Sequence, residues 1–272
     1  MHYMYHSNIN TTVEFLSDDR LKAQCTILST DQELVGWIIT DIKDLNILQA
    51  AWEVYRSPVY TAGYYELPEV VGINAFLQSG PQLKKSLSVP DQQLTRELIS
   101  ECIKGVIQAE TFFYKERGFR SQEDYEAFWN QVYVDSCLCF SNLDKNEGSW
   151  FEYVGDAPRS HNLFNRSHIV DIYRIEDSFS IMGTFIDSFH ELNIQIRIDT
   201  EGKVIAAEAE YTRAPERICY TNSRHMEKLI GCRIQEFNKK DLILIAGGAE
   251  GCSHLADIIY AAGKASRVVL AK

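Results

Sequence analysis

Apolar and polar residues alternate in four runs after residue 160: Ile169 to Arg174, Ser180 to Ile186, Leu192 to Asp199 and Val204 to Thr212. All four are rich in Ile, Val, Phe and Tyr, and a period of two in such residues predicts half-buried strands. Asp199-Thr200-Glu201-Gly202 supplies a hairpin turn between the last two. Beyond them the pattern becomes helical. One helix is expected around Ser223 to Ile230, stopped by Gly231. A loop through Ala246-Gly247-Gly248 leads to a final helix, Ser253 to Ala265, whose small residues suit close packing on a sheet.

The same order of features occurs earlier in the chain. Residues 21 to 58 align with 179 to 215, so that Glu33-Leu34 falls on Glu191-Leu192 and Asp41 on Asp199. After a one-residue gap, Ala50, Glu53, Arg56 and Pro58 fall on Ala207, Glu210, Arg213 and Pro215. A long helix, Leu94 to Glu116, then closes the first stretch at Gly118. Strands followed by helices give an α+β class. The expected organisation is two tandem, similarly folded units, each a small antiparallel sheet with helices packed on it. They cover 10–118 and 160–272, joined by a helical, aromatic-rich connection over 119–159.

In that connection Ser121 is placed to cap a helix through Tyr125, Phe128, Trp129, Val132 and Tyr133. Its aromatic face reads as core packing or as one wall of a ligand pocket. Cys137 and Cys139 follow; in a strand they would face opposite sides, which argues against a shared ion.

Composition narrows the class. The chain has 272 residues, 45% hydrophobic and 24% charged, with a net charge of -11. That balance disfavours phosphate polymers and anionic membranes as partners. No apolar run reaches the roughly 18 residues of a membrane span. Seven cysteines at irregular spacing, with no secretion signal at the start, fit a reducing compartment, and a cytoplasmic location is expected. There is no phosphate-binding glycine loop, nucleophile elbow or zinc-protease helix motif.

Potential chemistry gathers near the C-terminus. Cys252 and His254, two apart at the opening of a helix, can reach one ion, with Cys219 and His190 as further ligands. Asp187 substitutes if His190 faces away, because a carboxylate oxygen can complete such a sphere. Thiolate and imidazole together suit Zn2+ first and Fe2+ second. The first stretch lacks this set: Thr30 to Gln32 stands where Ser188 to His190 would be. Arg166 and His168, just before a strand, form a pair able to hold a substrate carboxylate, or simply an exposed strand start. Glu101, Gln108, Glu110 and Glu116 along the Leu94 to Glu116 helix read mainly as a solvated face.

Two resemblances follow from these residues. Leu192 to Asp199, Glu201 to Ile205, Cys219 and Cys252 to Ala256 resemble the central strand, next strand and ligand segments of the NifU/IscU iron–sulfur scaffold fold. Ser188 stands near the place of that fold's first ligand cysteine, and His254 follows Cys252 instead of preceding it. On this resemblance the first unit is a degenerate NifU-like copy and the second a metal-binding one. A nearer resemblance, over residues 160 to 270, is to a bacterial family, domain of unknown function 2889. It is carried by Arg166-Ser167-His168, Asp187, His190-Glu191, Ala214-Pro215, Cys219, Leu229-Ile230-Gly231 and Gly251-Cys252-Ser253-His254-Leu255. It implies a fold and a site but no reaction.

The expected function is a metal-dependent enzyme, a hydrolase or a lyase cleaving carbon–carbon bonds, acting on a small organic molecule through a Cys/His-bound ion. His190 would serve as weak ligand or base, with Arg166 and His168 beside the substrate. The alternative is a non-catalytic metal-binding or iron–sulfur scaffold protein with a closed structural zinc site. The oligomeric state is open, a homodimer being one form.

Overall fold

The order of strands read over residues 179 to 215 recurs in the first part of the chain. In the computed structural model, which describes residues 1–88, 93–155 and 157–271, β1 (His2–Ser17), β2 (Arg20–Ser29), β3 (Glu33–Asp41), β4 (Ile47–Arg56) and β5 (Gly63–Glu66) precede the helices α1 (Ser79–Ser86) and α2 (Gln93–Ala109). After α3 (Gln122–Val132) and α4 (Trp150–Val154) come β6 (Asn162–Ile175), β7 (Ser178–Asp187), β8 (Glu191–Asp199) and β9 (Val204–Arg213). The short α5 (Arg217–Tyr220), then α6 (Lys239–Ala246) and α7 (Ser253–Leu270), complete the chain. The class is therefore mixed, with antiparallel strands and helices. No helix among the described residues is long and apolar enough to cross a membrane.

Contacts divide the chain into two units. One comprises Asn8–Tyr125 with Ala157–Arg166; the other comprises Met1–Ser7, Glu126–Asp156 and Ser167–Lys272. The segment 119–159 is thus shared between them, and β1 and β6 each lend residues to both.

In the first unit the strand order is β5-β4-β3-β2-β1. β2 and β3 pair from Arg20↔Asp41 to Leu28↔Glu33. β3 and β4 pair with irregularities at Glu33/Leu34 and Ile39/Thr40. α2 buries Leu98, Ile99, Cys102, Ile103 and Val106 on this sheet. Glu116 is exposed, as expected of the Leu94 to Glu116 stretch, but two other carboxylates of that stretch depart from expectation. Glu101 is buried, 3.0 Å from Lys104 Nζ and 3.9 Å from Arg166 Nε, and Glu110 is fully buried, accepting from Arg117 Nε at 2.6 Å. The solvated face expected for them is therefore corrected. Each carboxylate has a cation close by, which is the condition under which a charge stays buried. The α-helix also stops earlier, at Ala109, and continues as a single 3-10 turn, Glu110–Phe112.

In the second unit the order is β6-β7-β8-β9. β7 and β8 pair from Ser178↔Asp199 to Ile186↔Glu191. β8 and β9 pair with irregularities at Glu191/Leu192 and Arg197/Ile198. α7 packs on β7 and β8, where Gly183 is required for the close approach: a Cβ there would lie 2.7 Å from Ile194 Cγ1 and 3.1 Å from Ile258 Cγ1. Ala256, Ala261, Ala262 and Ala265 on α7 are buried, as the small-residue pattern implied. The expected helix around Ser223 is instead a 3-10 helix, Thr221–Leu229, continuing from α5.

Candidate metal centre

The turn between β7 and β8 builds one half of the site. Asp187 ends β7, and its Oδ1 accepts from the backbone N–H groups of Phe189 at 2.7 Å and His190 at 2.6 Å. An aspartate that closes its own turn in this way leaves its side chain fixed relative to the backbone. The same oxygen lies 3.1 Å from His190 Nδ1. Arg213, at the end of β9, donates to the carbonyls of Asp187 at 2.6 Å, Ser188 at 2.9 Å and His190 at 3.2 Å. The Tyr153 hydroxyl donates to the remaining carbonyl, that of Phe189. Trp150 packs edge-on against the Phe189 ring at 4.7 Å.

The loop before α7 builds the other half. Cys252 N–H donates to Ala246 O at 2.7 Å, and a Cβ on Gly251 would overlap that same carbonyl, so only glycine fits. Leu138 N–H holds Gly251 O at 2.8 Å, and His225 Nε2 lies 2.7 Å from Glu250 O. Burial lowers the pKa of His225, which favours the neutral ring that donates this bond. Cys252 is the N-cap of α7 and His254 lies in its first turn.

These two halves bring Asp187, His190 and His254 together, each offering one ligand atom within 4.8 Å of the others. His254 Nε2 lies 4.0 Å from Asp187 Oδ2. Its ring is 4.1 Å from that of His190 and 4.7 Å from that of Phe185. Asp187 is buried and the two histidines are half-buried. The residues fit a divalent ion. Ligands at about 2.1 Å from zinc stand roughly 3.4 Å apart in a tetrahedron, so a closure on the order of an ångström would bring all three onto one ion. Two imidazoles and one carboxylate suit zinc or ferrous iron. Asp187 and His190, alternatives by sequence, sit side by side.

The cysteines lie outside that set. Cys252 Sγ is 3.9 Å from Nδ1 of His254, on the opposite edge of the ring from Nε2. Cys219 is buried, and a hydrogen bond with the Cys139 thiol, then burial, pushes its pKa well up. Burial likewise raises Cys252 and Cys137, with the Tyr211 hydroxyl beside Cys252 acting against the rise. In a strand Cys137 and Cys139 would face apart. They occupy a turn instead, so alternation does not apply, and both thiols interact with Cys219. Among the described residues all seven cysteines are free.

Arg166 and His168 are buried, not exposed. Arg166 belongs to the first unit, where its Nε lies 3.9 Å from Glu101. His168 belongs to the second, its ring 5.1 Å from that of Phe185. Sequence reasoning missed Tyr153, Trp150 and His225. It aligned Arg213 with Arg56 but assigned it no role.

A protein family described as being of unknown function, DUF2889, matches residues 165–267. The matched segment holds Asp187, His190, Cys219, Cys252 and His254, and its similarity is to a family without an assigned activity. Comparison with curated proteins and with solved structures returned no match.

Proposed function

We propose that this chain is a metal-dependent enzyme acting on a small organic molecule, with one Zn2+ or Fe2+ held by Asp187, His190 and His254. The observation that carries the reading is the convergence of three ligand atoms, from two separate segments, within 4.8 Å. Three protein ligands leave coordination positions open, as a catalytic site needs. A bound ion there supplies Lewis acidity to a carbonyl oxygen or a water. The protein's own part is to hold Asp187 and His190 on a braced turn and to orient the His254 ring between Asp187 and Cys252. Hydrolysis and carbon–carbon cleavage are the reaction types in view. The net charge of -11 favours a small molecule over nucleic acid or an anionic membrane as partner, and a cytoplasmic setting suits seven free thiols.

The reading also includes a duplication. The β2-β3-β4 and β7-β8-β9 pairings share their register and both irregularities, at Glu33/Leu34 and Glu191/Leu192 and at Ile39/Thr40 and Arg197/Ile198. In each set an arginine closes the turn between the first two strands: Arg56 donates to Ser29 O and Thr30 O, both at 2.9 Å, as Arg213 does to Asp187 O and Ser188 O. Ser29 and Gln32 stand where the second unit has Asp187 and His190, so the first unit keeps the turn without the ligands.

The second reading is a non-catalytic metal-binding or iron–sulfur scaffold of the NifU/IscU kind, favoured by the gathering of Cys137, Cys139, Cys219 and Cys252. Elemental analysis of protein purified without chelator separates the two. Bound metal lost in Asp187→Asn but kept in Cys219→Ser, with turnover on a panel of esters, amides and diketones, supports the enzyme. Metal lost in Cys219→Ser and kept in Asp187→Asn supports the scaffold.

A further inference from the structure

We infer that Arg213 is the positioning residue of the metal centre, setting the carboxylate of Asp187 and the ring of His190 for the ion through the backbone between them. This rests on the metal reading above. The turn Asp187–His190 carries two of the three ligands, and all four of its carbonyls have a partner: three accept from Arg213 and the fourth from Tyr153. The carbonyl of His190 also accepts from Asp187 N–H at 2.9 Å. The planar guanidinium reaches three carbonyls at once because its donors form a fixed fork; a lysine ammonium cannot reproduce that geometry. The first unit supplies an internal control. Arg56 makes the equivalent clamp on Ser29 and Thr30, in a turn with no metal ligands. If the clamp served stability alone, the two arginines would be interchangeable in their effects.

The experiment is a Co2+ titration of the full chain, followed by the visible d–d absorption of the bound ion and paired with thermal melts. Wild type is expected to develop a band that Asp187→Asn lacks. Arg213→Lys is expected to weaken Co2+ binding by about 10- to 100-fold, the range typical of groups that orient ligands. Arg56→Lys is expected to lower the melting midpoint as Arg213→Lys does while keeping wild-type Co2+ affinity. Tyr153→Phe removes one hydroxyl only and keeps the test usable if Arg213→Lys fails to fold; it is expected to weaken binding several-fold. Wild-type affinity in both Arg213→Lys and Tyr153→Phe, with Asp187→Asn still blind to the ion, overturns the inference and leaves the metal reading standing. An equal affinity loss in Arg56→Lys and Arg213→Lys overturns it as well. Absence of any band in wild type removes the metal reading, and the inference with it.

Discussion

The ring of His254, in the first turn of α7, lies 4.1 Å from the ring of His190, just before β8, with the planes inclined by 42°. Asp187 lies beside both, its Oδ1 3.1 Å from His190 Nδ1 and its Oδ2 4.0 Å from His254 Nε2. A carboxylate shared by two imidazoles is a donor set that a divalent ion can draw together. One equivalent of Zn2+ per chain is therefore expected in equilibrium dialysis. Asp187→Asn and His254→Ala should each weaken it by more than about 100-fold, beyond the range of outer contacts. Full Zn2+ retention in both variants rules the site out.

Cys252 is expected to orient His254 and not to bind the ion, because its sulfur faces Nδ1 while Nε2 faces Asp187. Cys252→Ser should keep stoichiometric metal, with affinity reduced by about tenfold. A thiolate-to-Co2+ charge-transfer band present in wild type and missing in this variant would show instead that sulfur is a ligand.

His225 should make the protein acid-sensitive. Its pKa is depressed from the usual 6.5 by burial, so the unfolded chain takes up the proton first. The stability it contributes is complete above pH 6.5 and is lost as pH falls through the lower folded value. Denaturant midpoints measured from pH 7.5 downward should drop more steeply in wild type than in His225→Gln. Parallel curves would mean that the His225–Glu250 contact does not govern the acid limb.

Gly183→Ala should destabilise the second unit by about 1–3 kcal/mol, the usual cost of overpacking. The added Cβ would meet the side chains of Ile194 and Ile258 at 2.7 and 3.1 Å, so these side chains, or β8 and α7 with them, must shift. Urea denaturation checks this, and an unchanged midpoint would show that the helix gives way freely.

Local pattern was enough to read much of this protein. Strands β6 to β9 and helix α7 were legible because burial on one face imposes a period of two or of 3.6 on neighbouring residues. The Arg56 and Arg213 correspondence was legible too, since each arginine ends its strand two residues before a proline, although the turn each one clamps was not. Cys252 and His254 stood out as a pair for the same local reason. Other features depend on which segments meet. The cations beside Glu101 and Glu110 come in part from segments outside α2, so a helical wheel shows only a polar stripe where the fold has buried charges. Cys137 and Cys139 meet Cys219 in a region where Leu138 N–H is bonded to Gly251 O, a contact that no spacing encodes. The ligand set was decided in the same way. Sequence proximity joined His254 to Cys252, but helix geometry turns the far nitrogen of that ring away from the thiol, and packing of α7 on β7 brings it to Asp187.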